Sequence, residues 1–243
     1  MWELFKHKMA FIGVLLAAFL FWSCEKEKEE APVVDLQIAQ SISFNYLALG
    51  DSYTIGTGLV DEHERYPIQL IDSINKSSMF DGSPPRIIAR NGWTTGDLLF
   101  GTDTATIDTT YQLVSLLIGV NNQFQNRPLD EYSEEFEILL DRAIQYAGND
   151  TSRVFVLSIP DYGVTPFGAS NAEEIAEEID LFNSVNQSIT ESYGISYFNI
   201  TPISRMAAND SSLIAPDNLH PSGEMYSLWV GEMLEIVQSK LLE

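Results

Sequence analysis

Five short apolar runs, rich in residues that favour β-strands, alternate along the chain with segments of helical periodicity. The runs cover residues 41–49, 86–90, 111–118, 153–159 and 195–200. Apolar residues recur at helical spacing between Leu129 and Ala147, and again between Ile175 and Ile189. Strands that alternate with helices build a parallel sheet whose two faces are both covered, so the pattern predicts an α/β fold.

Two further helices complete the predicted fold. One begins near Tyr66 and ends before Ser78, and the last begins at about Ser222, a residue type that often caps helices. We therefore predict one domain at residues 41–243, a three-layer α/β/α sandwich with a five-stranded parallel sheet, flavodoxin-like in outline. A chain of 243 residues can fill a single domain of this size.

The first 23 residues have a different composition. Lys6 and Lys8 precede an unbroken apolar run at residues 9–22, which is shorter than the ~20 residues that a membrane-spanning helix needs. A basic start followed by a short apolar run is typical of an export signal. Residues 1–23 are therefore predicted to be a signal peptide.

Cys24 is the only cysteine, so it forms no disulfide within the chain. Its position resembles a bacterial lipobox, in which the cysteine becomes the lipidated first residue of the mature protein; an ordinary cleaved signal is the alternative. Residues 24–40 begin with a dense run of Glu and Lys and are predicted to be an acidic, solvated tether. We expect an exported protein, held by lipid at the outer membrane or cell surface, with the periplasm as the alternative location.

The chain is strongly acidic, with 13 basic and 35 acidic residues and a net charge of −22. This charge disfavours nucleic acid, whose phosphates bind Lys and Arg, and it also disfavours anionic lipid head groups. The glutamates near residues 134–137 and 173–178 lie opposite the apolar stripes of their helices, which indicates solvated faces. With one cysteine and three histidines in the chain, we predict no metal site and no cofactor.

Ser52 follows the glycine that ends the first predicted strand, in a Gly-Asp-Ser turn at residues 50–52. Ligands of open α/β sheets bind at the carboxyl ends of the strands, which favours a chemical role for this serine. Gly, Asp and Ser are also common in ordinary turns. His220 favours the chemical role, because Asp217 precedes it by three residues and can orient its ring. A serine needs such a base to become a nucleophile.

Four motifs, in order, make the chain similar to the GDSL-type members of the SGNH hydrolases. They are Gly-Asp-Ser-Tyr at residues 50–53, Gly92 after Arg90 and Asn91, Gly-Val-Asn-Asn at 119–122, and Asp-Asn-Leu-His at 217–220. Tyr53 stands where the family name has Leu, and Asn122 stands where the family usually has Asp. We expect Asn122 to be a structural loop residue and activity to survive this substitution.

The resemblance implies a carboxylic ester hydrolase with Ser52 as nucleophile, His220 as general base and Asp217 as the residue that orients His220. It also implies an oxyanion hole made of the backbone N–H groups of Ser52 and Gly92 and the amide of Asn121. The expected partner is a small-molecule, lipid or glycan ester. We expect the protein to be a monomer. An acyltransferase and a non-catalytic, glycan-binding surface lipoprotein are the alternatives on the same fold.

Two segments are candidates for the walls of this site. Tyr162, Thr165, Pro166 and Phe167 follow the fourth predicted strand, so they either line the substrate site or pack within a structural loop. Trp93 follows the oxyanion glycine and either flanks the site or packs over the sheet.

Overall fold

A five-stranded, all-parallel sheet lies at the centre of the computed structural model, which describes residues 40–242. A second, two-stranded sheet lies outside this central sheet. The strands of the two sheets are β1 (Ile42–Phe44), β2 (Tyr46–Gly50), β3 (Phe80–Gly82), β4 (Arg86–Ala89), β5 (Leu113–Leu117), β6 (Val154–Leu157) and β7 (Ser196–Phe198). The central sheet has the order β4-β2-β5-β6-β7, which confirms the predicted five parallel strands.

Helices cover this sheet on both faces. They are α1 (Ser52–Ile55), α2 (Tyr66–Ile74), α3 (Thr95–Thr104), α4 (Val120–Phe124), α5 (Leu129–Tyr146), α6 (Ala172–Ser192), α7 (Thr201–Arg205) and α8 (Gly223–Lys240). Every residue of β2, β5 and β6 is buried, and successive side chains of a strand point to opposite faces. One helical layer contains α2 packed on α8, and the other contains α5 packed on both α3 and α6.

The run at residues 41–49, predicted as one strand, is divided at Asn45 in the structure. Asn45 and Gln112 exchange hydrogen bonds, in which the backbone N–H of each donates to the side-chain oxygen of the other. The carbonyl oxygen of Asn45 also accepts from the backbone N–H groups of Gln112 and Leu113, each at 3.2 Å. On either side of Asn45, β1 pairs with β3 in a separate two-stranded parallel sheet, and β2 enters the central sheet.

The predicted helices differ in how well the sequence indicated them. Those at α2, α5, α6 and α8 are confirmed, and the predicted cap Ser222 accepts a hydrogen bond from the N–H of Met225 at 3.2 Å. The apolar pattern does not predict α3, because this helix has little apolar periodicity and contains two glycines. Its start is nevertheless marked in the sequence by a capping box, in which Thr94 and Asp97 each bond the other's backbone N–H.

Several predictions for the amino-terminal region concern residues that the structure does not describe. The signal peptide at residues 1–23, the lipidated Cys24 and the tether as far as residue 39 lie outside residues 40–242. The domain boundaries at residues 23 and 40 therefore stay predictions. Within the described residues, no helix has both the length and the apolar character needed to cross a membrane.

Gly50 allows the chain to pass directly from β2 into α1. A Cβ atom at this position would overlap both the side chain of Thr54 and the carbonyl oxygen of Leu117. Any larger residue would push α1 away from the strand. Because Ser52 is the first residue of α1, the position of this serine depends on Gly50.

We predict that Gly50→Ala lowers the free energy of unfolding by at least about 1–3 kcal/mol, because overpacking of this junction strains the core. The matched control is Gly231→Ala in α8, where an added Cβ meets no atom within 4 Å. That change should raise the stability by about 0.5–1 kcal/mol, because alanine favours helix. Urea unfolding of both variants tests this, and equal stabilities of the two would contradict it.

Candidate active site

Ser52 and two other predicted site residues follow three adjacent strands of the central sheet. In the strand register, Gly50 of β2 lies beside Ala89 of β4 on one side and Leu117 of β5 on the other. Ser52 follows Gly50 by two residues, Gly92 follows Ala89 by three, and Asn121 follows Leu117 by four. The parallel pairing therefore brings all three segments to the same edge of the sheet.

Ser52 is held at this edge by the capped start of α1. The Oδ1 atom of Asp51 accepts a hydrogen bond from the N–H of Tyr53 at 3.0 Å, and Gly56 ends the helix in a left-handed conformation. Because Ser52 is the first helical residue, its own N–H has no acceptor within the helix. The side chain of Ser52 lines a cavity of 110 Å³ together with His220 and Asn121.

His220 is oriented by the carboxylate of Asp217. The Nδ1 atom of His220 lies 2.6 Å from Oδ2 of Asp217, while Oδ1 accepts from the N–H groups of Leu219 and His220, each at 3.0 Å. With Nδ1–H donating to the carboxylate, the Nε2 atom of the neutral ring keeps a free lone pair. Ser52 Oγ makes no hydrogen bond within residues 40–242. Ser52 Oγ and His220 Nε2 are therefore both free to interact with a substrate in the cavity.

The surroundings of Asp217 keep this carboxylate ionised. Burial raises its pKa, but the hydrogen bonds from His220 and from the N–H of Leu219 outweigh burial and hold the pKa below the usual range. The loop at residues 56–58 packs against the same group, since a Cβ at Gly58 would lie 2.5 Å from Oδ2 of Asp217. On its other side, the ring of His220 meets Tyr53 edge-on, with the ring centroids 5.7 Å apart.

The predicted oxyanion donors are connected through Trp93. Asn121 lines the cavity, and its Nδ2 atom donates to the carbonyl oxygen of Trp93 at 2.9 Å. This bond uses one of the two N–H groups of the amide, so the second remains available as a donor. Gly92 has a φ of +77°, a conformation that favours glycine, and its N–H donates to no acceptor in the described part of the chain. Gly92 is exposed and is not one of the residues that line the cavity.

Asn122 is fully buried in the short helix α4, not in a loop as expected, and it joins this helix to the start of α3. Its Oδ1 atom accepts from the N–H of Thr95 at 2.9 Å, and its Nδ2 atom donates to Thr95 Oγ1 at 2.6 Å. Thr95 Oγ1 in turn donates to Oε2 of Glu135 at 2.5 Å. The amide therefore supplies one donor and one acceptor, whereas the aspartate that the family usually has here would supply acceptors alone.

Asp51 is a buried carboxyl group directly beside the serine. Its Oδ2 atom has no hydrogen-bond partner among the described residues. Burial raises the pKa of Asp51 to about 7, and hydrogen bonds from the backbone N–H groups of Tyr53 and Asp51 offset only part of this effect. A substantial fraction of this carboxyl is therefore protonated near neutral pH.

The walls of the cavity that Ser52 and His220 line, called the catalytic cavity below, are mainly apolar. Besides the polar residues named above, they consist of Tyr53, Val120, Phe124, Tyr162, Phe167 and Leu219. Of the four candidate wall residues after the fourth predicted strand, Tyr162 and Phe167 line the cavity and Thr165 and Pro166 do not. Phe124 was not predicted, because the short helix α4 leaves no periodic signal. The ring of Trp93 does not line this cavity and packs instead beside Gly101. In residues 40–242, no group of three or more His, Cys, Asp or Glu side chains is placed to hold a metal ion.

Ser52 and the aspartate-bound His220 line one cavity at the carboxyl edge of the parallel sheet, an arrangement that is typical of serine hydrolases. The model of the GDSL-like lipase/acylhydrolase family matches residues 48–228, which is well over half of the chain. The chain belongs to this family and is a carboxylic ester hydrolase. A search of curated protein sequences gave no match.

Solved structures of the same fold include three bacterial enzymes. The psychrotrophic esterase EstA from a Pseudoalteromonas species is 18% identical, with a TM-score of 0.61, and the match covers 84% of this chain and 100% of that one. The lipase/acylhydrolase from Enterococcus faecalis is 17% identical, with a TM-score of 0.63 and coverage of 81% and 96%. Phospholipase A1 from Streptomyces albidoflavus is 22% identical, with a TM-score of 0.56 and coverage of 81% and 99%. At these identities the likeness establishes the fold alone.

We predict that Asn122→Asp destabilises the protein by about 1–3 kcal/mol, because the new carboxylate accepts the proton of Thr95 Oγ1 and leaves Glu135 without its donor. The double variant Asn122→Asp with Glu135→Gln should recover most of this loss. In it, the amide of residue 135 donates to Thr95 and the direction of the hydrogen-bond chain is reversed. Glu135→Gln alone is the control and should have a small effect. Urea unfolding of the four proteins gives the answer, and a double variant no more stable than Asn122→Asp would contradict the prediction.

We also predict that Asp51 makes the protein less stable as the pH rises from about 4 to 7. In this range the unfolded chain releases the proton, whereas the folded chain, with its pKa raised to about 7, retains it. At about 1.4 kcal/mol per pKa unit, the loss amounts to a few kcal/mol at most. Asp51→Asn has no proton to release and should lose this part of the pH dependence. The test is urea unfolding of both proteins between pH 4 and 8, and identical pH profiles would refute the assignment.

Proposed function

We propose that the protein hydrolyses carboxylic esters through an acyl-enzyme formed on Ser52. The observation that carries this proposal is that Ser52 and His220 line one cavity while Nδ1 of His220 is hydrogen-bonded to Asp217 at 2.6 Å. An aligned carboxylate and imidazole supply the base that a serine hydroxyl needs to become a nucleophile.

The first half of the reaction forms the acyl-enzyme. His220 Nε2 removes the proton of Ser52 as Oγ attacks the ester carbonyl, and Asp217, which the hydrogen bonds keep ionised, stabilises the resulting imidazolium. Negative charge develops on the carbonyl oxygen, where the N–H groups of Ser52 and Gly92 and the amide of Asn121 act as donors. The C–O bond to the alcohol then breaks, and the proton on His220 passes to the leaving alcohol.

The second half regenerates the enzyme. A water molecule gives its proton to His220 Nε2 and attacks the acyl carbonyl, which is again held by the same donors. The bond to Ser52 Oγ breaks, the carboxylic acid leaves, and His220 returns the proton to Ser52. Asp217 stays bound to Nδ1 of His220 in both halves, so it orients the base without exchanging a proton.

The catalytic cavity is suited to short acyl chains. Its volume of 110 Å³ is well below the roughly 300–1,000 Å³ that pockets for drug-sized ligands provide. Apolar walls from Val120, Phe124 and Leu219 favour a small hydrocarbon group over a charged one. We therefore propose acetyl to butyryl esters as the preferred acyl class.

We predict that kcat/KM for p-nitrophenyl esters is highest between acetate and butyrate and falls at least about tenfold by octanoate, because longer chains exceed the cavity. Ser52→Ala should reduce kcat by a factor on the order of 10⁴ to 10⁶. Ser184→Ala, an exposed position on α6, is the matched control and should behave as the wild type. Full activity of Ser52→Ala would refute the assignment of Ser52 as the nucleophile. An optimum at long acyl chains would refute the assigned acyl class.

We further propose that the enzyme works outside the cytoplasm and is anchored to the cell envelope by lipid on Cys24. The support is the basic start, the apolar run at residues 9–22 and the single cysteine that follows them. In cells that express the full-length chain, Cys24→Ala should move the protein from the membrane fraction to the soluble fraction. Membrane association that is unchanged in this variant would contradict the lipid anchor.

A further inference from the structure

We propose that the alcohol portion of the substrate carries a cationic ammonium group, which binds in an acidic groove next to the catalytic cavity. This inference deepens the proposed function and rests on it. The acidic groove is defined by Gln123, Phe124, Tyr162, Phe167, Glu174 and Glu178, and its volume is 460 Å³. Phe124, Tyr162 and Phe167 line both spaces, so a substrate that reacts at Ser52 has a continuous wall along which to extend.

The shared wall is a cluster of three aromatic rings. The centroid of Phe124 lies 6.2 Å from Tyr162 and 6.0 Å from Phe167, and the last two are 6.3 Å apart. Phe124 and Phe167 are 53% and 52% exposed, an unusual state for large apolar side chains that are grouped together. Aromatic faces attract ammonium groups through the negative charge of their π-systems, most strongly for quaternary ammonium.

The groove also provides negative charge without a competing cation. Glu174 and Glu178 lie one turn apart on α6, and within residues 40–242 neither forms a salt bridge. No Lys or Arg of the described residues lines either the groove or the catalytic cavity. Burial, followed by the charges of Glu178 and Asp161, raises the pKa of Tyr162, and a hydrogen bond with Gln123 offsets part of this rise. Asp161 is paired with Arg205 at 2.9 Å, so Glu174 and Glu178 are the carboxylates that make the groove negative.

Gln123 adds an unused hydrogen-bond acceptor at the same place. This side chain is only 5% exposed, and its Nε2 atom donates to Oε2 of Glu178 at 2.7 Å. Its Oε1 atom accepts no hydrogen bond from the described part of the protein. A buried acceptor beside two carboxylates favours a ligand that carries positive charge or N–H and O–H donors.

We assign the groove to the alcohol portion of the ester because its aromatic wall is bonded to the loop that carries His220. The N–H of Phe167 donates to the carbonyl oxygen of Asn218 at 3.2 Å, which ties the aromatic wall to the loop that carries His220. In the proposed mechanism, His220 gives its proton to the leaving alcohol. The alcohol is therefore the part of the ester that extends past Phe167 into the groove, while the short acyl chain occupies the catalytic cavity.

The test compares two acetate esters of the same shape on the full-length protein. Acetylcholine carries a quaternary ammonium group, and 3,3-dimethylbutyl acetate replaces that nitrogen by carbon. Acid release at constant pH gives kcat/KM for both. We expect a ratio of at least about tenfold in favour of acetylcholine at low salt, and we expect the combined variant Glu174→Gln and Glu178→Gln to lower this ratio at least about fivefold.

Glu232→Gln, an exposed change on α8, is the matched control for loss of acidic charge and should leave the ratio unaltered. A wild-type ratio near one would overturn the inference while leaving the ester hydrolase in place. A large ratio that survives the changes at Glu174 and Glu178 would also overturn it. The preference for acetylcholine would then come from general attraction of a cation by the net charge of −22 and not from the groove. Failure to hydrolyse either ester would instead refute the proposed function and the inference with it.

Discussion

The parallel pairing of β2 with a strand on each side is the constraint on which the candidate site depends. Gly50 lies in register with Ala89 and Leu117, so the chain leaves three neighbouring strands at one level and in one direction. The segments that carry Ser52, Gly92 and Asn121 therefore leave the sheet at the same edge. His220 comes from a separate loop before α8, and its position relies on Asp217 and on packing against Tyr53.

Hydrogen bonds between the segments that follow β4 and β5 position the side chains of the site more closely than the sheet does. The amide of Asn121 is held by the carbonyl of Trp93, and the amide of Asn122 bonds both the N–H and the hydroxyl of Thr95. These three bonds join α4 to the segment that begins at Gly92. Because amides that lose a buried partner cost free energy, the bonds resist independent movement of α4 and this segment.

The sequence allowed the order of strands and helices to be predicted, because long apolar runs and helical stripes extend over many residues. It indicated Ser52, Asp217 and His220 through their spacing and their places beside predicted elements. It did not indicate the break at Asn45, which depends on Gln112 some 67 residues away. The link from Asn122 to Glu135 and the aromatic wall with Phe124 were missed for the same reason, since they arise only when distant segments meet in the folded chain.

Covalent labelling by a phosphonate ester tests whether Ser52 is the nucleophile. Such a reagent transfers its phosphorus to an activated serine and stops at an adduct that resembles the tetrahedral intermediate. Intact-mass and peptide-mass measurements should find one adduct per chain, on the peptide that contains Ser52, and none on Ser52→Ala. An adduct on a different residue, or complete inactivation without an adduct on Ser52, would contradict this account.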